Sequence, residues 1–115
     1  MARKVGIALS EILNEIDWIE TVTAGKKLDD FARDRATRYI VERSIEIIAE
    51  ASRRIPEELK ALRPEIDWRA VAGIGNMLRH EYHSTSSKIL WDVVSADLAQ
   101  LKTAVEAIQA ALDER

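Results

Sequence analysis

The C-terminal third of the chain sets the strongest constraint on its fold. Leu90, Val94, Leu98, Leu101, Val105, Ile108 and Leu112 recur at steps of 4, 4, 3, 4, 3 and 4. That spacing lays them along one stripe of an α-helix. The pattern predicts a helix over about Lys88 to Asp113, with an apolar face that is stable only when other elements cover it.

The partners for that face are legible upstream. Val5, Leu9, Ile12, Ile16 and Ile19 step by 4, 3, 4 and 3, predicting a first helix over about Ala2 to Val22 that stops at Gly25. A second helix is predicted over about Asp30 to Arg53, capped by Asp29 or Asp30. Val41, Ile45 and Ile48 form one seam on it, and Ile40, Ser44, Ile47 and Ala51 a second seam beside it. Two seams suit a helix that touches more than one neighbour. In the connector that follows, Pro56-Glu57-Glu58-Leu59 can form one helical turn, and Pro64 blocks continuation. A third long helix is predicted over about Trp68 to Tyr82 with Asp67 as its cap, before the turn Ser84 to Ser87. The expected architecture is a single all-α domain over residues 1–115, an antiparallel up-and-down four-helix bundle. Trp18, Trp68 and Trp91 are expected as core or interface anchors.

Composition removes several function classes. Without cysteine there can be no disulfide, thiolate zinc site or cysteine nucleophile. Four glycines and two prolines are too few for the many turns of a sandwich or barrel. No apolar run approaches the roughly 18 residues of a membrane span. The N-terminus carries Glu11 and Glu15 where a leader's apolar region would fall, so a cytoplasmic location without membrane contact is expected. The net charge of −3 argues against bulk electrostatic capture of nucleic acid. It leaves room for a local basic patch: Arg33, Arg35, Arg38 and Arg43 make the start of the second helix locally basic, and they read most simply as surface salt-bridging residues, for example Arg38 with Glu42 at i and i+4.

Both histidines lie in one stretch, Gly73 to His83. Histidine is the side chain best suited to moving protons near neutral pH. On a regular helix, at about 100° per residue, Asn76, Arg79, His80 and His83 share one polar face. Val71, Ile74 and Leu78 form the opposite core face, flanked by Tyr82 and Gly75. By spacing alone that polar face reads most simply as the solvated end of a helix. His80 and His83, at i and i+3, could supply two metal ligands, but no third is evident, so no metal or other cofactor is expected. Gly75 is out of place, since glycine inside a helix costs about 1 kcal/mol relative to alanine. It calls for a close helix contact or some other history.

Taken together, several stretches give the chain a resemblance to the HEPN superfamily, specifically the HepT-like toxins. They are Asp34 to Ile55, Ile66 to Gly73, Asn76 to Tyr82 and Ile89 to Val94, within a likeness running over roughly residues 5–110. Its most specific element is the family motif R-x4-H-x-Y, in which asparagine often follows the arginine. Asn76, His80 and Tyr82 match it position by position. The arginine position is Gly75.

The resemblance implies a bundle that dimerises with two motifs facing each other. It implies a metal-independent endoribonuclease, the toxin of a type VII toxin–antitoxin system. It also implies a nucleotidyltransferase antitoxin of the MNT type that transfers AMP to the motif tyrosine, here Tyr82. In that scheme His80 is the general base or acid on RNA and Asn76 orients. The missing arginine would stabilise charge on the phosphoryl oxygens. Arg79, one turn from Gly75, is a candidate substitute, and His83 a supporting residue. Three histories fit Gly75: an introduced change that disarms the chain, a natural loss of activity, or a site completed by another arginine such as Arg38 or Arg43. The other classes left open are a HEPN module that docks a nucleotidyltransferase or nucleotide without cutting RNA, and a dimeric bundle of structural role.

Overall fold

The computed structural model describes residues 2–80 and 84–114, with side chains for residues 3–75 and 87–114. All regular structure among them is helical. The elements are α1 (Ala2–Thr23), α2 (Leu28–Arg33), α3 (Arg35–Ser52), α4 (Glu57–Lys60), α5 (Trp68–His80), α6 (Ser84–Asp92), a π-helical segment (Val93–Asp97) and α7 (Leu98–Asp113).

The predicted stripes are the core. Leu9, Ile12, Ile16 and Ile19 of α1 and Val105 and Ile108 of α7 are wholly excluded from solvent, and Val41, Ile45 and Ile48 of α3 nearly so. Each such side chain contributes about 1.5–3 kcal/mol on burial. The helices pack α1 on α3, α1 on α7 and α3 on α5. Three pairs of contacts fix their directions. Lys102 near the start of α7 meets Asp17 and Glu20 near the end of α1, at 3.6 and 3.2 Å. Arg54, just past α3, pairs with Glu11 of α1, while Lys26, just past α1, sits 3.5 Å from Asp34 at the start of α3. Arg53 reaches Ala72 early in α5, and Gly75 further along α5 faces Glu46 and Ala49. Each packed pair therefore runs antiparallel.

Four local features depart from the sequence expectation, the simplest being that Ser84 to Ser87, expected as a turn, form the first turn of α6. The second predicted helix is two helices broken at Asp34, and Asp34, not Asp29 or Asp30, is the cap of the long one. Its carboxylate accepts from the Thr37 backbone N–H at 3.0 Å and from the Thr37 hydroxyl at 2.7 Å. The backbone bond from Thr37 is the main reason the Asp34 carboxyl is held below the ordinary carboxylate pKa, with the hydroxyl bond next. A residue that can bond its own downstream backbone competes with helix continuation, and here it ends α2 and starts α3.

The C-terminal stripe is interrupted by the π-helical segment, where the Leu98 N–H donates to the Val93 carbonyl five residues back. Two consecutive steps of four would carry Leu98 about 80° around a regular α-helix from Leu90. The π segment absorbs the extra residue, so Leu90 and Leu98 are both buried, at 1% and 4% exposure, while Val94 is only partly covered.

Trp18 is not a core residue: it is 51% exposed. Trp68 is partly buried and pins the connector, donating from Nε1 to the carbonyls of Lys60 (3.1 Å) and Arg63 (3.2 Å). Trp91 stacks at a tilt on the buried Phe31, ring centroids 5.1 Å apart. Pro56 starts the short α4, as expected.

Candidate functional site

α5 carries the motif, and its placement begins at its first turn. The Asp67 side chain accepts from the Ala70 N–H at 3.0 Å, capping the helix as the sequence predicts. Val71 and Ile74 pack against the core, so the core face of α5 is the predicted one. The opposite end reaches His80 without a break. Asn76, Arg79 and His80 therefore keep helical register with Gly75. Their side chains, and Tyr82 and His83 altogether, lie outside the described residues, as does the predicted stretch of helix beyond His80.

Gly75 is buried against α3. A Cβ added there would lie 3.8 Å from the Ala49 Cβ and from the Cα and Cγ of Glu46. These are ordinary van der Waals distances. The two helices are close, yet not so close that glycine is required. The helix-interior penalty of Gly75 is therefore not offset by a contact that only glycine permits.

The α3 surface that faces α5 is a stripe that charge alone would place in solvent. Arg53 donates to the Ala72 carbonyl at 2.7 Å and to Glu50 at 3.0 Å. Ala49 and Glu46 meet Gly75. Glu42 and Arg38 continue the same helical stripe towards the His80 end of α5. The sequence expectation of a second seam made of Ile40, Ser44, Ile47 and Ala51 needs correction. Ser44 and Ala51 are buried, but Ile40 and Ile47 are only half-buried, and beside the core contacts of Val71 and Ile74 the α5 interface draws on the neighbouring polar stripe. A signal was present, since Ala49 is the small residue amid that stripe and α5 carries Ala72 and Gly75 one turn apart.

The electrostatics along this stripe are uneven. Burial pushes the Glu42 carboxyl above its ordinary value, with Arg38 pulling the other way and Glu46 adding to the rise. Arg38 was expected to pair with Glu42. Its Nε is enclosed with no hydrogen-bond partner among the described residues. Arg35 donates from Nε to the Tyr39 hydroxyl at 2.9 Å, and its guanidinium lies 5.3 Å from the Tyr39 ring centroid. Arg33, Arg35 and Arg43 are exposed. The start of α3 is thus a cationic surface beside the motif helix. It could hold phosphate groups by charge and hydrogen bonding.

The sequence profile of the ribonuclease HepT-like family matches residues 12–108. A protein of Thermococcus cleftensis named probable ribonuclease HepT is 38% identical over 88% of this chain and 92% of its own length. Proteins of Methanocaldococcus jannaschii and Caldanaerobacter subterraneus, whose names provisionally make them RNases, are 31% and 29% identical. The alignments cover 92% and 87% of this chain and 97% and 89% of theirs. No solved structure gives a significant match.

Proposed function

The chain belongs to the HepT-like ribonuclease family, and on that premise we propose that it is the toxin component of a type VII toxin–antitoxin system, an endoribonuclease disarmed by Gly75. The observation that carries this reading is the family match across residues 12–108, with Asn76, His80 and Tyr82 standing at the matching motif positions. In this reading the domain is a four-helix HEPN bundle, acts in the cytoplasm, and pairs with a second copy so that two motifs share one cleft.

The chemistry needs no metal. His80 takes the proton of a ribose 2′-OH, the 2′ oxygen attacks the adjacent phosphorus, and the 5′ oxygen leaves with a proton returned by an imidazolium. Asn76 orients the phosphate. The motif arginine would stabilise the developing charge on the phosphoryl oxygens, and losing one such donor typically costs about 2.7–4 kcal/mol of transition-state stabilisation. Glycine offers no donor, and Arg79, Arg38 and Arg43 are the arginines available to replace it. A nucleotidyltransferase antitoxin of the MNT type transfers AMP from ATP to the Tyr82 hydroxyl, the phenol oxygen bonding the α-phosphorus as its proton and pyrophosphate leave, and so neutralises the active form.

The test is an RNA cleavage assay on this chain, on Gly75→Arg, and on Gly75→Arg combined with His80→Ala. The seat at position 75 accepts a Cβ at 3.8 Å from its neighbours, and circular dichroism of the arginine variant establishes that it is folded before its activity is read. Cleavage by Gly75→Arg alone, lost on His80→Ala, supports the reading. A folded Gly75→Arg that leaves RNA intact sinks it. Intact mass after incubation with the cognate nucleotidyltransferase and ATP tests Tyr82: AMP increments are expected, and Tyr82→Phe should remove them. A second reading, a binding module that docks a nucleotidyltransferase without cutting RNA, is favoured by the absent donor at Gly75.

A further inference from the structure

On the flank of α5 away from Gly75, α5 and α7 stand apart and leave a cavity of about 320 Å³ open to solvent. Its floor is apolar: Ile48 of α3, Val71 and Ile74 of α5, Val93 of the π-helical segment and Leu101 of α7. Its charged lining is all of one sign, Glu65, Asp67 and Asp97, and no lysine or arginine lines it among the described residues. Glu65 is engaged by Arg63, and Asp67 caps α5. Asp97 is different. It ends the π-helical segment, caps nothing with its side chain and has no partner among the described residues. π segments inside α-helices recur at functional sites, and this one contributes both an apolar wall and the unpaired carboxylate.

From these features we propose that the cavity is a docking site for a partner protein segment that presents a large apolar side chain between lysines or arginines. The apolar floor takes the side chain, and the carboxylates at the mouth take the flanking cations. A polyanion is repelled by that mouth, so this flank is separate from the RNA path, which the cationic start of α3 favours. The proposal does not depend on catalysis at His80, and it stands or falls without it.

The probe is a short acetylated peptide with two leucines between pairs of lysines, alongside a twin with glutamates in place of the lysines. Binding to the whole protein is read from backbone amide shifts. The lysine peptide is expected to move the amides of Val71, Ile74, Val93 and Leu101 and to bind about tenfold more tightly than the twin at low salt, with the margin shrinking as salt rises. Asp97→Lys, an exposed substitution that breaks no hydrogen bond among the described residues, should erase the margin. Val71→Trp should fill the cavity and abolish binding. Equal binding of the two peptides, shifts confined to other surfaces, or an unchanged margin in folded Asp97→Lys would each overturn the proposal. So would light scattering showing that a second copy already fills the cavity, with Val71→Trp converting a dimer to a monomer.

Discussion

A Cβ placed on Gly75 would meet the Glu46 Cγ at 3.8 Å, in ordinary contact rather than collision. The glycine therefore sits in the interface of α5 with α3 without being demanded by it. This relationship separates two questions that the sequence leaves joined: whether position 75 can hold a side chain, and what the chain loses by not holding one.

The first prediction follows directly. Gly75→Ala should stabilise the protein by about 1 kcal/mol, because alanine removes the backbone entropy cost of a helix-interior glycine and adds contacts at normal distance. Thermal melting should show a rise of a few degrees. A fall in the melting temperature would mean that the two helices are closer in solution than the 3.8 Å contacts allow.

Asp34 links acid sensitivity to the junction between α2 and α3. Its carboxyl is held below its ordinary value of 3.8, first by the Thr37 N–H and then by the Thr37 hydroxyl. A depressed carboxylate contributes stability that is present above its unfolded value and is lost as pH falls through the folded one. Asp34→Asn should keep the cap, since asparagine caps as well as aspartate, and should flatten the pH dependence below about pH 4. Asp34→Ala should lower stability across the range. Denaturant midpoints at several pH values for the three proteins would decide it.

Glu42 carries the opposite sign. Burial raises its carboxyl above the ordinary value of 4.5 despite the nearby Arg38 charge. A raised carboxylate detracts from stability when ionised, and the protein recovers that loss as pH falls through the raised value. Glu42→Gln should therefore be more stable than the parent near neutral pH, and the gap should close on acidification. A Glu42→Gln protein less stable at neutral pH would show that the carboxylate holds a partner worth more than its desolvation.

The π-helical segment makes a prediction about chain length. Deleting Ser95 should convert Val93–Asp97 to regular α-helix and still leave Leu90 and Leu98 on one face, because the deletion removes the residue that the segment absorbs. Deleting Thr103 inside α7 should rotate Val105 and Ile108, both fully buried, by about 100° relative to Leu101 and unfold the chain. Circular dichroism and melting would separate the two. Equal damage from both deletions would mean that the π segment is not the point of slack.

The sequence by itself determined which faces are buried. The stripes of α1, α3 and α7 are periodic apolar runs, and water drives such faces together whatever their order in space. It also determined the caps at Asp67 and Gly25 (φ 75°), because capping is a local matter of side-chain chemistry and backbone freedom. Asn76, His80 and Tyr82 stood out through the resemblance to the family motif, not through their spacing, and their side chains lie outside the described residues. Tertiary structure alone decided the rest. The break at Asp34 is the exception, a local cap onto Thr37 that the periodic apolar pattern masks in a sequence reading. The π-helical segment arises because Leu90 and Leu98 must face one core. The stripe of Arg38, Glu42, Glu46, Ala49 and Arg53 reads as solvent-facing until α5 packs on it. Charged residues signal exposure only on average, and a neighbouring helix of small residues, Ala72 and Gly75, lets their stems and backbone form an interface.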